Sequence, residues 1–254
     1  MRFRPCIDLR GGRVVQIVGG TLRDGDDGAA VTNFQTDRPA AEYARLYRQD
    51  DLRGGHVIAL GPGNDHAARA ALAAWPGGLQ YGGGVTADNA PAWLEAGASH
   101  VIVTSWVFRD GRLDTGRLDA LVDAVGARRL VLDLSCRRRA GAFWVVIDRW
   151  QTFTDVAVSA GTLGRLADRC DEFLVHGVDV EGRRAGIDAD LVALLADAAP
   201  LPVTYAGGAR SIADLDRVNE LGGGRVDLTL GSALDIFGGD VPYHDVVAWH
   251  RAHA

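Results

Sequence analysis

Short apolar runs rich in β-branched residues alternate along this chain with longer segments whose apolar residues recur every three or four positions. The first pattern reads as buried strand and the second as amphipathic helix. Strands are predicted at residues 5–9, 56–60, 79–81, 101–103, 130–134, 172–176, 202–205 and 226–230. Helices are predicted at 40–49, in an Ala-rich stretch ending at 74, and at 90–96, 113–125, 161–169, 190–198, 212–221 and 243–252. Pro39 stands at the start of the first helix; Asn64 or Asp65 is placed to cap the second, and Asp88 or Asn89 the third. Strand followed by helix, eight times over, implies parallel βαβ units with right-handed crossovers. Eight units in 254 residues fit a closed (β/α)8 TIM barrel better than an open doubly wound sheet. No G-x-G-x-x-G follows the first strand, which weighs against a dinucleotide fold.

Three stretches interrupt the rhythm. Residues 14–18 extend the first strand after a turn, and residues 21–38 form a long polar stretch, read as a loop and candidate lid. Residues 136–150 form an insertion: a basic turn (Arg137, Arg138, Arg139), then a hairpin around 142–147.

The chain also repeats itself. Tyr81-Gly82-Gly83-Gly84 and Tyr205-Ala206-Gly207-Gly208 each end a strand, with the tyrosines 124 positions apart. The strand after the first reaches Thr104 and Ser105, and the strand after the second reaches Gly231 and Ser232. Glycines at strand ends let backbone N–H groups converge on a phosphate, and loops after strands seven and eight are a recurrent phosphate site in barrels. Two such cradles imply a long substrate phosphorylated at both ends. Asp8 and Asp133, 125 positions apart, each close an apolar strand. Strands one and five lie opposite each other, so the two carboxylates would face across the mouth, one taking a proton and one giving it. The reading is therefore a single domain over 1–254, built from half-barrels of about 1–126 and 127–254. His176 ends strand six and is placed to donate a hydrogen bond, with a satisfied core histidine as the alternative. Asp179 and Glu181 follow in a loop able to cover the site. Trp106, Trp144 and Trp150 read as core.

Composition adds limits. A formal net charge of −6 argues against a nucleic-acid or anionic-membrane surface but not against a phosphate held by backbone dipoles. Three cysteines without metal spacing read as reduced cytoplasmic thiols. No run approaches a membrane span, and the first strand begins without an apolar signal core.

The residues resemble a known family, the histidine-biosynthesis phosphoribosylformimino-5-aminoimidazole carboxamide ribotide isomerases, in particular the branch of yeast and other fungi. The resemblance rests on Cys6-Ile7-Asp8-Leu9, Val15-Gln16-Ile17-Val18-Gly19-Gly20, Leu60-Gly61-Pro62, Val101-Ile102-Val103-Thr104-Ser105-Trp106, Val131-Leu132-Asp133-Leu134-Ser135-Cys136-Arg137, Asp179-Val180-Glu181-Gly182 and Val203-Thr204-Tyr205-Ala206-Gly207-Gly208-Ala209. It implies an Amadori rearrangement of an aminoaldose to an aminoketose on a small bisphosphorylated ribotide, with no cofactor, no metal and no obligate protein partner. Asp8 matches the family's general base and Asp133 its partner carboxylate. Where members commonly carry Thr and Asp, this chain has His176 and Glu181, so which of Asp133, His176 and Glu181 is the general acid stays open. Many members place an Arg two residues after the first cradle; here it is Thr86, whereas the second half keeps Arg210. The sister cyclase carries Lys at the position of Gln16. The remaining alternatives are a dual isomerase that also accepts phosphoribosyl anthranilate and a non-catalytic phosphometabolite binder.

Overall fold

The computed structural model describes residues 1–18 and 32–254. Among them, eight parallel strands alternate with eight helices: β1 (Cys6–Arg10), α1 (Ala40–Gln49), β2 (Gly55–Ala59), α2 (Asp65–Ala74), β3 (Leu79–Gly82), α3 (Ala90–Glu95), β4 (Val101–Val103), α4 (Thr115–Val125), β5 (Leu130–Asp133), α5 (Ala160–Leu166), β6 (Glu172–His176), α6 (Ala189–Ala198), β7 (Val203–Ala206), α7 (Ile212–Leu221), β8 (Val226–Thr229) and α8 (Tyr243–His253). Each strand pairs with its successor from β1 to β8. A two-residue strand, Phe3–Arg4, pairs parallel with β8, while β1, one residue later, pairs with β2. Pro5 lies between them; it has no N–H to give, but its carbonyl accepts from the His56 amide at 2.9 Å. The sheet thus closes on itself as a TIM barrel, leaving no unpaired edge between β1 and β8.

The barrel interior follows from the period-two alternation of its strands. At the floor, the buried Arg4 bonds Asp227 at 2.8 Å and Glu172 at 3.4 Å. Gln80 and Thr204 donate to the same Glu172 carboxylate at 3.1 and 2.7 Å. Ile58, Ile102, Val131 and Leu174 pack together as an apolar layer. At the mouth are Asp8, Thr104, Asp133 and His176. The polar floor survives burial because its charges are paired and hydrogen-bonded.

The helices bury one face each on the barrel. In α1 that face is Ala40, Ala41, Tyr43, Ala44 and Tyr47, and the Tyr47 hydroxyl donates to the Cys6 carbonyl at 3.0 Å, fixing the helix to β1. Asp114, Ser159, Asp188 and Ser211 cap α4 to α7 through N–H groups three residues on. The expected caps on α2 and α3 are otherwise used. Asn64 accepts from Gly12 N at 2.9 Å and donates to the Gly61 carbonyl at 2.8 Å. Asn89 accepts from Thr86 N and donates to the Gly84 carbonyl, both at 2.9 Å. Both side chains brace loops at the mouth and leave the helix start uncapped.

Other expectations shift. Asp8 lies two residues before the end of β1, because Leu9 and Arg10 continue pairing into an antiparallel hairpin with Arg13–Ile17. Of the stretch 21–38, residues up to 31 lie outside the described residues, and Thr32–Thr36 is a strand beside Arg13–Ile17 rather than loop. The predicted helix 161–169 ends at Leu166 and tightens into a 3-10 turn, Ala167–Arg169. The insertion after β5 is a three-stranded antiparallel sheet, because Thr152–Ala157 joins the hairpin of Cys136–Arg139 and Ala142–Ile147.

Candidate active site

A cavity of about 760 Å³ opens at the C-terminal ends of the strands. Its walls include Asp8, Asp133, His176 and Glu181, and also Gly83, Gly84, Thr104, Ser105, Gly207, Gly208, Gly231 and Ser232. Its volume is that of a small-molecule site.

The two glycine cradles share one backbone conformation. Gly83 and Gly207 have φ of 117° and 129°, and Gly84 and Gly208 have 63° and 75°. In each cradle the tyrosine hydroxyl donates to the carbonyl two residues on, Tyr81 to Gly83 at 3.2 Å and Tyr205 to Gly207 at 2.9 Å. A side chain at Gly83 would strike Ala59, and one at Gly207 would lie 2.8 Å from the Gly177 carbonyl, so neighbouring strands also demand glycine there. Ser105 opens a 3-10 turn, Ser105–Val107, and its hydroxyl accepts from Asp148 N at 3.2 Å. Gly231 is glycine for another reason: a Cβ would collide with the Gln16 side-chain oxygen.

Gln16 also donates to Asp8 at 3.1 Å and approaches the Cys6 sulfur at 3.7 Å. Burial raises the Asp8 carboxyl to about 7; Glu181 adds to the rise, and His176 and the Gln16 amide oppose it. Burial likewise raises Glu181, against His176 and the Gly182 N–H. Two carboxyls in one cavity therefore hold protons unusually well.

Asp133 is held differently. Its Oδ1 accepts from Ser135 N at 2.8 Å and from the Ser135 hydroxyl at 2.6 Å, and its Oδ2 accepts from Thr104 at 3.2 Å. Thr104 thus turns its hydroxyl to Asp133. His176 Nδ1 lies 3.2 Å from the Ser135 oxygen and 3.7 Å from Asp133 Oδ1. Ser135 has one proton and gives it to Asp133, so it accepts from Nδ1–H. Burial alone would raise Asp133, but the hydrogen bond and charge of His176 and the two Ser135 donors bring it below its usual value. Burial would lower His176, and Asp133, with Glu181 and Asp8, reverses this and carries it up to about 9. The pair is a carboxylate and an imidazolium at neutral pH.

Several wall residues were not singled out from sequence as candidates. Gln16 and His56 look like ordinary strand residues until the barrel closes, and Ser135, just past β5, reaches the site only through Asp133 and His176. Trp150, expected in the core, places its ring 5.8 Å from that of His176, and Trp106 also lines the cavity. Trp150 ends a run of three left-handed residues, Asp148, Arg149 and Trp150, that turns the insertion over the mouth. Arg184 lines the cavity, whereas the expected Arg210 is exposed and outside it. The Arg137–Arg139 run does not reach the cavity either. Arg137 pairs with Asp179 at 2.8 Å and Arg138 with Asp190 at 2.8 Å, tying the insertion to the chain after β6, and Arg139 stacks over Trp144 and Phe153. Asp179 is therefore a strap, and Glu181 alone of that loop pair faces the site. Among the described residues no group of three or more His, Cys, Asp or Glu is disposed to hold a metal ion. No helix among them is long and apolar enough to cross a membrane.

Comparison with known proteins agrees with this architecture. The family model described as "Histidine biosynthesis protein" matches residues 2–240. A chloroplastic protein of Medicago truncatula is 57% identical over 99% of this chain and 82% of its own length. Proteins of Neurospora crassa and Saccharomyces cerevisiae are 52% and 47% identical, each over 98% of this chain and 98% of its own length. All three are named as isomerases of an imidazole-4-carboxamide that bears a 5-phosphoribosyl and a 5-phosphoribosylamino group. The match spans nearly every strand of the barrel, and the chain belongs to the histidine biosynthesis protein family.

Proposed function

We propose that this protein is an intramolecular aldose–ketose isomerase. It converts N'-(5'-phosphoribosyl)formimino-5-aminoimidazole-4-carboxamide ribotide to its phosphoribulosyl isomer in histidine biosynthesis. The observation that carries the chemistry is the pair of unlike proton carriers between matched cradles, a carboxyl at about 7 and an imidazolium at about 9. The relatives' names support the substrate.

The cradles hold the terminal phosphates and centre the ribosylamine under the mouth. As the ring opens, the amine nitrogen forms a C=N bond, the C1–O4 bond breaks, and O4 takes the proton of His176 Nε2. Nδ1 is committed to Ser135, so Nε2 is the nitrogen that gives and regains a proton. Asp8 then takes the C2 proton and leaves an enaminol. C1 is protonated and O2 gives up its proton, so C2 becomes the carbonyl and the hydrogens balance without an oxidant. Asp8 near neutrality suits both taking and returning a proton. Asp133, saturated by donors, keeps His176 charged rather than transferring protons itself. Glu181 faces the same space and shares the proton load with Asp8.

This scheme needs no second protein. The matched cradles also support a single domain of two half-barrels, about 1–126 and 127–254. Three free, buried thiols support a reducing, cytoplasmic setting.

The test is an absorbance assay of purified protein with the bisphosphorylated aminoaldose, beside Asp8→Asn, and with phosphoribosyl anthranilate as a second substrate. Turnover of the first alone, lost in the variant, is expected. Turnover of both would make the enzyme a dual isomerase. Turnover of neither by folded protein would overturn the catalytic reading.

A further inference from the structure

Two polar side chains in the cavity wall make no side-chain hydrogen bond among the described residues. His56, on β2, is 3% exposed and lines the cavity, and its ring lies 6.2 Å from that of His176. Thr229, ending β8, is 8% exposed and also lines the cavity; its hydroxyl oxygen is enclosed and unbonded. The two flank the first strand, with His56 opposite Cys6 on one side and Thr229 opposite Arg4 on the other. Asp8 lies two residues further along that strand and faces the same space. Native interiors seldom leave such groups unpaired, so a pair of them in one cavity calls for a ligand.

We propose that His56 and Thr229 form a hydroxyl-binding subsite below Asp8 that receives the polyol chain of a phosphorylated sugar. This deepens the isomerase reading and rests on its cradles holding the phosphate. The chemistry selects the ligand class. Burial and the neighbouring His176 lower His56 to about 3, so its ring is neutral and offers one donor and one acceptor. Threonine also offers one of each, and its hydroxyl, enclosed in this structure, would have to turn about χ1 to meet a ligand. A sugar hydroxyl, itself donor and acceptor, satisfies both. A phosphate would face the carboxyls of Asp8 and Glu181, and the neighbouring cation, His176, is already paired with Asp133. An apolar chain would leave both groups orphaned. The subsite would therefore hold the reacting sugar by its hydroxyls while the cradles hold its phosphates.

Calorimetric titration with two five-carbon phosphates tests this: ribitol 5-phosphate, which carries the hydroxyls, and n-pentyl phosphate, which does not. The wild-type protein should bind ribitol 5-phosphate about tenfold more tightly, the scale of one or two buried hydrogen bonds. The near-isosteric variants His56→Leu and Thr229→Val should each reduce that ratio toward one while leaving pentyl phosphate affinity unchanged. Equal binding of the two ligands by wild type overturns the subsite and leaves the phosphate reading standing. So does an unchanged ratio in both folded variants, which would mean that the groups hold water or serve packing alone. If neither phosphate binds wild-type protein, the cradle reading falls and takes the subsite with it.

Discussion

The folded protein holds the proton of Asp8 unusually well. Its carboxyl is raised to about 7 by burial and by Glu181, so the folded state favours the protonated form more than the unfolded chain does. Ionised Asp8 therefore costs stability, and that cost grows as pH rises from the usual carboxylate range toward 7. Asp8→Asn should abolish turnover, leave substrate binding nearly intact, and raise the melting temperature at pH 8 by a few degrees. A folded variant that loses binding would give Asp8 a role beyond proton transfer. His176 has the opposite sign: its raised value means that its pairing with Asp133 stabilises the fold below the ordinary histidine range and is lost as pH rises through about 9. For the free enzyme, kcat/KM should rise through about 7 as Asp8 ionises and fall through about 9 as His176 loses its proton. His176→Gln should remove the upper limb and lower kcat by roughly 10²–10⁴. An upper limb that stays at 9 in this variant would move the acid role to another group.

At the scale of elements, each cradle is a strand end bent into a shape that two glycines permit. Gly83 and Gly84 differ in what stands behind them: a Cβ at Gly83 meets Ala59, whereas one at Gly84 has nothing within 4 Å. Gly83→Ala should displace the strand end, raise KM at least tenfold and destabilise the protein by about 1–3 kcal/mol, as strained backbone does. Gly84→Ala should cost about 1 kcal/mol from its left-handed φ alone and affect KM less. Urea melts and steady-state kinetics on both variants check the ordering; equal effects would mean that the strand neighbour is immaterial. The insertion after β5 acts at the same scale. Of the arginines read from sequence as a basic turn, Arg137 and Arg138 are consumed by Asp179, Asp188 and Asp190 and Arg139 stacks on Trp144 and Phe153, and what the insertion delivers to the mouth is Trp150.

For the whole molecule, closure of the barrel depends on the floor. Arg4 sits between Asp227 on β8 and Glu172 on β6, and its guanidinium also donates to the Arg53 carbonyl at 3.2 Å. Removing the cation leaves buried Glu172 with only the neutral donors Gln80 and Thr204, and Asp227 with only Arg2, 3.2 Å away. Arg4→Ala should destabilise the protein by about 3–5 kcal/mol in urea unfolding, with little dependence on salt because the charges are shielded from solvent ions. A loss below 1 kcal/mol would mean that water reaches the floor and the network is dispensable.

Strand and helix order, the barrel class, the twin glycine cradles and the two repeat-related carboxylates are all legible in the linear pattern, although Asp8 does not end its strand. Each depends on local periodicity, on glycine's backbone freedom, or on a repeat offset that survives without coordinates. All twelve site residues expected from the sequence lie on one cavity. What the linear pattern cannot carry is contact between residues far apart in the chain. Ser135 meets His176 across 41 positions, Gln16 meets Gly231 across the closed seam, and His56 faces the cavity only because β2 stands beside β1. The same limit misplaced the caps on α2 and α3, since Asn64 and Asn89 had better-placed partners in loops brought near by folding. Proton affinities belong to this second class as well. Burial and neighbouring charge set them, so two repeat-related aspartates diverge: Asp8 is raised to about 7 and Asp133 is brought below its usual value.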